Sequence, residues 1–68
     1  MATLPVISGE EAVSAFRKAG WIVDRQRGSH VILIASLSVP QHRELSPGTL
    51  RALIRNARMS VSEFRRLL

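Results

Sequence analysis

The spacing of apolar residues changes twice along the chain, and those changes divide it into elements. Residues 1–7 show no period and contain Pro5, so they read as an extended lead-in. Ala12, Val13, Phe16 and Ala19 then line one helical stripe. Ser8-Gly9-Glu10-Glu11 ahead of them fits a capping box, in which the Ser8 hydroxyl accepts from the Glu11 N–H and the Glu11 carboxylate accepts from the Ser8 N–H. Carboxylates in the first turn, Arg17 and Lys18 in the last and Gly20 beyond complete a helix predicted over residues 9–19. Residues 21–26 alternate loosely and are rich in strand formers, with Trp21 and Val23 sharing a face. Arg27-Gly28-Ser29 makes a turn, and residues 30–35 read as a strand apolar on both faces, with Ile32 and Ile34 in phase with His30 and Val31, Leu33 and Ala35 opposite.

After a short turn near Ser36, a third strand over residues 37–39 is ended by Pro40, and Gln41, His42, Arg43 and Glu44 form a polar connection. Ser46 caps a second helix with Pro47 at its first position, and Leu50, Leu53, Ile54 and Ala57 form its apolar stripe. Ser60-Val61-Ser62-Glu63 is a second capping box, opening a short last helix with Phe64, Leu67 and Leu68 expected inward. The order helix, three strands, helix, short helix is an α+β pattern, a three-stranded antiparallel sheet with helices on one face, as in double-stranded-RNA-binding domains. Helices on one face leave the other open, and a central strand apolar on both sides calls for a cover from a partner. With neither repeats nor linkers, residues 1–68 read as one domain.

Composition narrows the partner. Ten Lys and Arg oppose five Asp and Glu, a formal net charge of +5, and nine of the ten cations are arginine. The guanidinium fork matches phosphate oxygens in pairs, so the bias favours RNA or DNA, although a basic surface also suits an acidic protein or plain solvent. Cysteine is absent, which excludes disulfides and thiolate metal sites. No clustered His, Asp and Glu set has metal-ligand spacing, so neither metal nor other cofactor is expected. The first residues carry no charged leader, and the longest apolar run, residues 31–35, is far too short to cross a bilayer, so a soluble cytoplasmic protein is expected.

The stretch Gln26-Arg27-Gly28-Ser29-His30 concentrates the candidate chemistry: a cation, a flexible backbone, a hydroxyl and an imidazole. Imidazole is the side chain best suited to exchange protons near neutrality, which makes His30 the candidate proton carrier. Read without context, the same stretch is an ordinary hairpin tip followed by a strand residue. Arg51, with Arg55 and Arg58, lies off the apolar stripe of the second helix, where it is a phosphate contact or a solvated face. Trp21 is a base-stacking platform or part of the core, and His42 a second proton carrier or a polar loop residue.

Several motifs spaced along the chain decide between these readings. Ala19-Gly20-Trp21, Arg25-Gln26-Arg27-Gly28-Ser29-His30, Ser38-Val39-Pro40-Gln41-His42, Glu44-Leu45, Pro47-Gly48-Thr49-Leu50-Arg51 and Ser60-Val61-Ser62-Glu63-Phe64 together resemble the HicA toxin family. The resemblance implies a double-stranded-RNA-binding-domain-like fold, endoribonuclease action on messenger RNA, and neutralisation by a HicB antitoxin that covers the open sheet face and His30 in a hetero-oligomer. It assigns catalysis to His30, the histidine after Gly-Ser. Around it, Arg25 and Arg27 are expected to stabilise charge on the phosphate, Gly28 and Ser29 to let donors approach, and Arg51 to contact RNA. Two departures are visible. The turn between the second and third strands is short, and Arg58 stands where the family tends to place glycine, so a left-handed backbone there would cost about 1–2 kcal/mol. The rival functions are a noncatalytic RNA-binding module of the same fold and a structural interaction protein.

Overall fold

The computed structural model describes residues 3–68; Met1 and Ala2, part of the expected lead-in, lie outside the described residues. Six elements follow in the expected order: α1 (Gly9–Lys18), β1 (Val23–Arg27), β2 (His30–Leu33), β3 (Leu37–Pro40), α2 (Pro47–Asn56) and α3 (Val61–Arg65). Each helix starts where a serine satisfies its free N–H groups. Ser8 Oγ accepts from the Glu11 N–H at 3.0 Å while Glu11 Oε1 accepts from the Ser8 N–H at 3.0 Å. Ser60 and Glu63 repeat the arrangement at α3, and Ser46 Oγ accepts from the Thr49 N–H at α2. Gly20, at φ 103°, turns the chain out of α1 in a conformation that side chains resist.

The strands form one antiparallel sheet in the order β1-β2-β3. Period-two alternation turns Val31 and Leu33 of β2 and Leu37 and Val39 of β3 to one face, against which α1 and α2 pack, chiefly over β3. Phe16, Phe64, Leu33, Leu50 and Val39 are fully enclosed there, with the two phenyl rings 5.0 Å apart. Burying each ring stabilises the fold by about 1.5–3 kcal/mol relative to leaving it in water. Lys18 Nζ donates to the Leu67 carbonyl, and Arg65 donates to both the carbonyl and the hydroxyl of Thr3, so these two cations tie chain segments together.

The sheet departs from the expected strand limits at four points, one being that Pro40 is the last residue of β3, paired with His30, and not the residue that stops the strand. β1 begins at Val23 rather than Trp21, because the chain leaving α1 first donates from the Trp21 N–H to the Phe16 carbonyl. Arg27 belongs to β1, paired with His30, so the turn is Gly28-Ser29 alone. Gly28 has φ 56° and Ser29 does not, the pattern of a type II′ turn, whose twist suits a two-residue hairpin. β2 stops at Leu33, since Ile34, Ala35 and Ser36 form the next turn, closed by the Ser36 N–H donating to the Leu33 carbonyl. The expectation of a central strand apolar on both faces is thereby corrected: Ile34 and Ala35 leave the strand, and Ile32 alone remains apolar on its open side. Leu68, expected inward, is 48% exposed, and Ala19 is exposed as well.

Candidate active site

His30 heads the central strand and is paired on both sides, with Arg27 on β1 and Pro40 on β3. Residues directly opposite in antiparallel strands share a face, so Arg27, His30 and Pro40 form one row across the open side of the sheet. The next row on that side is Arg25, Ile32 and Ser38. The open face is thus mainly cationic and polar, with Arg25, Arg27 and His30 all exposed. Among the described residues the one hydrogen-bond partner of the exposed imidazole is the Ser29 hydroxyl, 3.4 Å from Nδ1, a long contact that leaves Nε2 without one.

The two sheet arginines differ in availability. Asp24 is the extra residue of a β-bulge, since Val23 pairs with Leu33 and Arg25 with the adjacent Ile32. A bulge re-aims side chains, and the Asp24 carboxylate takes the Arg25 guanidinium in an ion pair. Both groups are about half exposed, so solvent limits that pair to about 0–1 kcal/mol, and an incoming phosphate can compete for Arg25. Arg27 has no carboxylate partner, and Asp24–Arg25 is the only ion pair among the described residues.

A backbone network holds the row in place. The Gln41 N–H donates to the Ser29 carbonyl at 2.6 Å, tying the β1–β2 turn to the end of β3, and the Gly9 N–H donates to the His42 carbonyl at 2.9 Å. Gly9 is buried against this connection: an added Cβ would lie 2.0 Å from the Pro40 carbonyl oxygen. These supports have no signature in the sequence, because glycine after a capping serine announces no tertiary contact. The spacing does bring Arg25, Arg27, Gly28, Ser29 and His30 together. Arg51 lies elsewhere, exposed on α2, and no hydrogen bond or ion pair joins it to the hairpin among the described residues. His42 is exposed in the loop after β3, beside Ser8 and Gln41.

The family model described as HicA toxin of bacterial toxin-antitoxin matches residues 9–59 of the 68-residue chain, from the start of α1 through the whole sheet to just beyond α2. The chain belongs to the HicA toxin family. No curated protein matches it. A HicA toxin is one half of a toxin–antitoxin pair, so a cognate antitoxin is the partner that membership implies. The matched segment contains every residue of the row around His30, and residues 1–8 and 60–68, with α3 among them, fall outside it. Among the described residues of this HicA-family chain, no helix is long and apolar enough to cross a membrane.

Proposed function

We propose that this toxin is a metal-independent endoribonuclease that cleaves messenger RNA in the cytoplasm, with His30 as its general base and a HicB-type antitoxin as its inhibitor. The observation that carries the reading is the row Arg27–His30 on the open side of the sheet, with the Ser29 hydroxyl against one nitrogen of the ring and the other nitrogen free. An Nδ1–H donated to Ser29 would leave Nε2 as the proton acceptor. His30 takes the proton of a ribose 2′-hydroxyl, O2′ bonds to the adjacent phosphorus, and the bond from phosphorus to the 5′ oxygen breaks. Solvent protonates the departing oxygen, and a 2′,3′-cyclic phosphate remains. Arg27, with Arg25 once a phosphate displaces Asp24, stabilises the charge that builds on the phosphoryl oxygens, and Gly28 and Ser29 keep the approach narrow enough for backbone and hydroxyl donors. Arg51 contributes a phosphate contact away from the scissile bond. The antitoxin covers the open sheet face and His30, excluding the substrate.

The test is cleavage of a mixed-sequence RNA by purified protein in EDTA. A positioned general base contributes about 10²–10⁴-fold, so folded His30→Ala should lose activity by that factor, and a 2′-deoxy substitution at the cut site should abolish cleavage there. Equal cleavage by wild type and variant would remove His30 from the mechanism. Binding of RNA by both proteins with cleavage by neither would leave a noncatalytic RNA-binding module.

A further inference from the structure

At the end of the sheet away from the Gly28-Ser29 turn, two open clefts of about 240 and 550 Å³ meet on Trp21. One is lined by Gly20, Ile22 and Ile34 besides the indole, the other by Arg17, Gly20, Ile22 and Val23. The apolar side chains here are unusually bare, Ile22 at 62%, Ile34 at 52% and Val23 at 41% exposure. The lip at Gly20 is open, for a Cβ built there would meet no atom within 4 Å beyond its chain neighbours. The indole packs against Phe16 in an edge-to-face pair, ring centroids 6.5 Å apart. A half-buried aromatic residue, packed against the core, thus lines both clefts at the foot of β1 with an apolar surround.

Two further features say what would fit. Arg17 at the rim of the larger cleft makes no hydrogen bond or ion pair among the described residues, so an apolar slot sits beside a free guanidinium. A flat apolar ring carrying a phosphate satisfies both halves, whereas an aliphatic side chain of a protein partner satisfies only the slot. Moreover, β1 starts at Val23 on the cleft and ends at Arg27 opposite His30; with Asp24 bulged out, these ends are as far apart as their partners Leu33 and His30, three steps of ~3.3 Å or roughly 10 Å, and a strand leaving the cleft reaches the open face round the free edge of β1. A few nucleotides of single-stranded RNA span that distance.

We infer that the Arg17–Trp21–Ile22 cleft is a nucleobase subsite, which stacks one base of the RNA a few nucleotides from the cleaved bond and so contributes to sequence preference. The inference rests on the ribonuclease reading above, and goes beyond it by giving the substrate a second point of contact.

Trp21 is the only tryptophan, so its emission reports the subsite directly. The probe is a dye-labelled 2′-O-methyl oligonucleotide, which lacks the nucleophilic hydroxyl and stays intact, tested as the full sequence and as a series with one abasic position moved along it. Dye anisotropy reads binding and indole emission reads stacking. The expected result is quenching on binding, with one abasic position that restores emission and weakens affinity about 5- to 150-fold, the range of a lost base–aromatic stack. Arg17→Ala should lower the slope of log affinity against log salt by about 0.7, and Ile22→Ser should weaken binding while leaving that slope unchanged. Both positions are exposed, so folding is not at stake, and Trp21 stays in place because it packs on Phe16. Binding by anisotropy with unchanged emission and a flat abasic series would overturn the subsite and leave RNA recognition at His30 standing. No binding of any oligonucleotide at low salt would sink both. Quenching by purified antitoxin and not by the oligonucleotide would reassign the cleft to a protein interface.

Discussion

Of the four glycines, Gly9 is the one where an added methyl group meets the main chain, so Gly9→Ala should destabilise the protein by overpacking. Gly9 is the first residue of α1, and its Cα faces the backbone that leaves β3. The new methyl carbon would stand 2.0 Å from the Pro40 carbonyl oxygen and 2.9 Å from the Gln41 Cα, both parts of the main chain that cannot swing aside as a flexible side chain would. The helix must back away, and in doing so it loses the Gly9 N–H to His42 carbonyl bond. Overpacking costs about 1–3 kcal/mol and the lost hydrogen bond about 0.5–1.5, against which alanine's better helix propensity returns at most about 1 kcal/mol. The net is a destabilisation of about 0.5–3.5 kcal/mol, centred near about 2, which corresponds to about 8–16 °C in Tm for a domain of this size. Urea unfolding followed by far-UV circular dichroism measures it, with the m-value checking that both proteins unfold from comparable states. Gly48→Ala is the matched control, since a Cβ there meets nothing within 4 Å and the helix gains propensity, so it should be neutral or mildly stabilising. If Gly9→Ala unfolded within about 0.5 kcal/mol of wild type, the close approach between α1 and the end of β3 would be refuted, and with it the account of how the loop behind His30 is held.

Two smaller effects follow from the ends of the helices. Arg58 sits at φ 59°, the left-handed conformation expected from its place after α2, so Arg58→Gly should raise stability by about 0.5–1 kcal/mol once glycine's greater unfolded freedom is counted; a loss of stability in the same urea titration would contradict the strain. The Glu63 carboxyl is held below the usual carboxylate range, first by the Ser60 backbone N–H it accepts from and then by the Ser60 side chain, with Arg66 assisting. A lowered folded pKa means that the cap stabilises α3 fully above the unfolded glutamate value and fades as pH falls through the folded one. Carbon-13 titration of Glu63 should therefore give a midpoint below that of an unfolded peptide, moving back up in Ser60→Ala; a midpoint at the peptide value in the wild type would refute the cap's electrostatic part.

How far the sequence reveals the structure depends on how far apart the interacting groups lie. All three helix starts are legible because each cap joins residues three apart, within reach of a local pattern. The hairpin around His30 is legible for the same reason, and the left-handed Arg58 follows from the position after a helix that glycine usually takes. The strand limits are not. Residues 34 and 35 have strand-forming or apolar side chains, yet the tight turn into β3 claims them, and Ala35 and Ser36 take φ of 72° and 68° against their own preference. Nor does the sequence announce that Asp24 is a bulge residue that occupies Arg25, or that Gly9 abuts Pro40, since both depend on register and packing between elements. The candidate site is thus legible in its chemistry and illegible in its supports.

The row around His30 is made by neighbours in sequence, and the core behind it is not. Arg27 and His30 meet through a two-residue turn, whereas Phe16 meets Phe64, and Lys18 reaches the Leu67 carbonyl, 49 residues away. Hairpins of this kind form in about 1–10 µs, while contacts between distant segments must first overcome the entropy of closing a long loop. A bare hairpin is only marginally stable in water, so before the helices pack on it the pairing of Arg27 with His30 should form and open many times. The late contacts then determine how long the arrangement survives, while its shape is already present in the first turn to close.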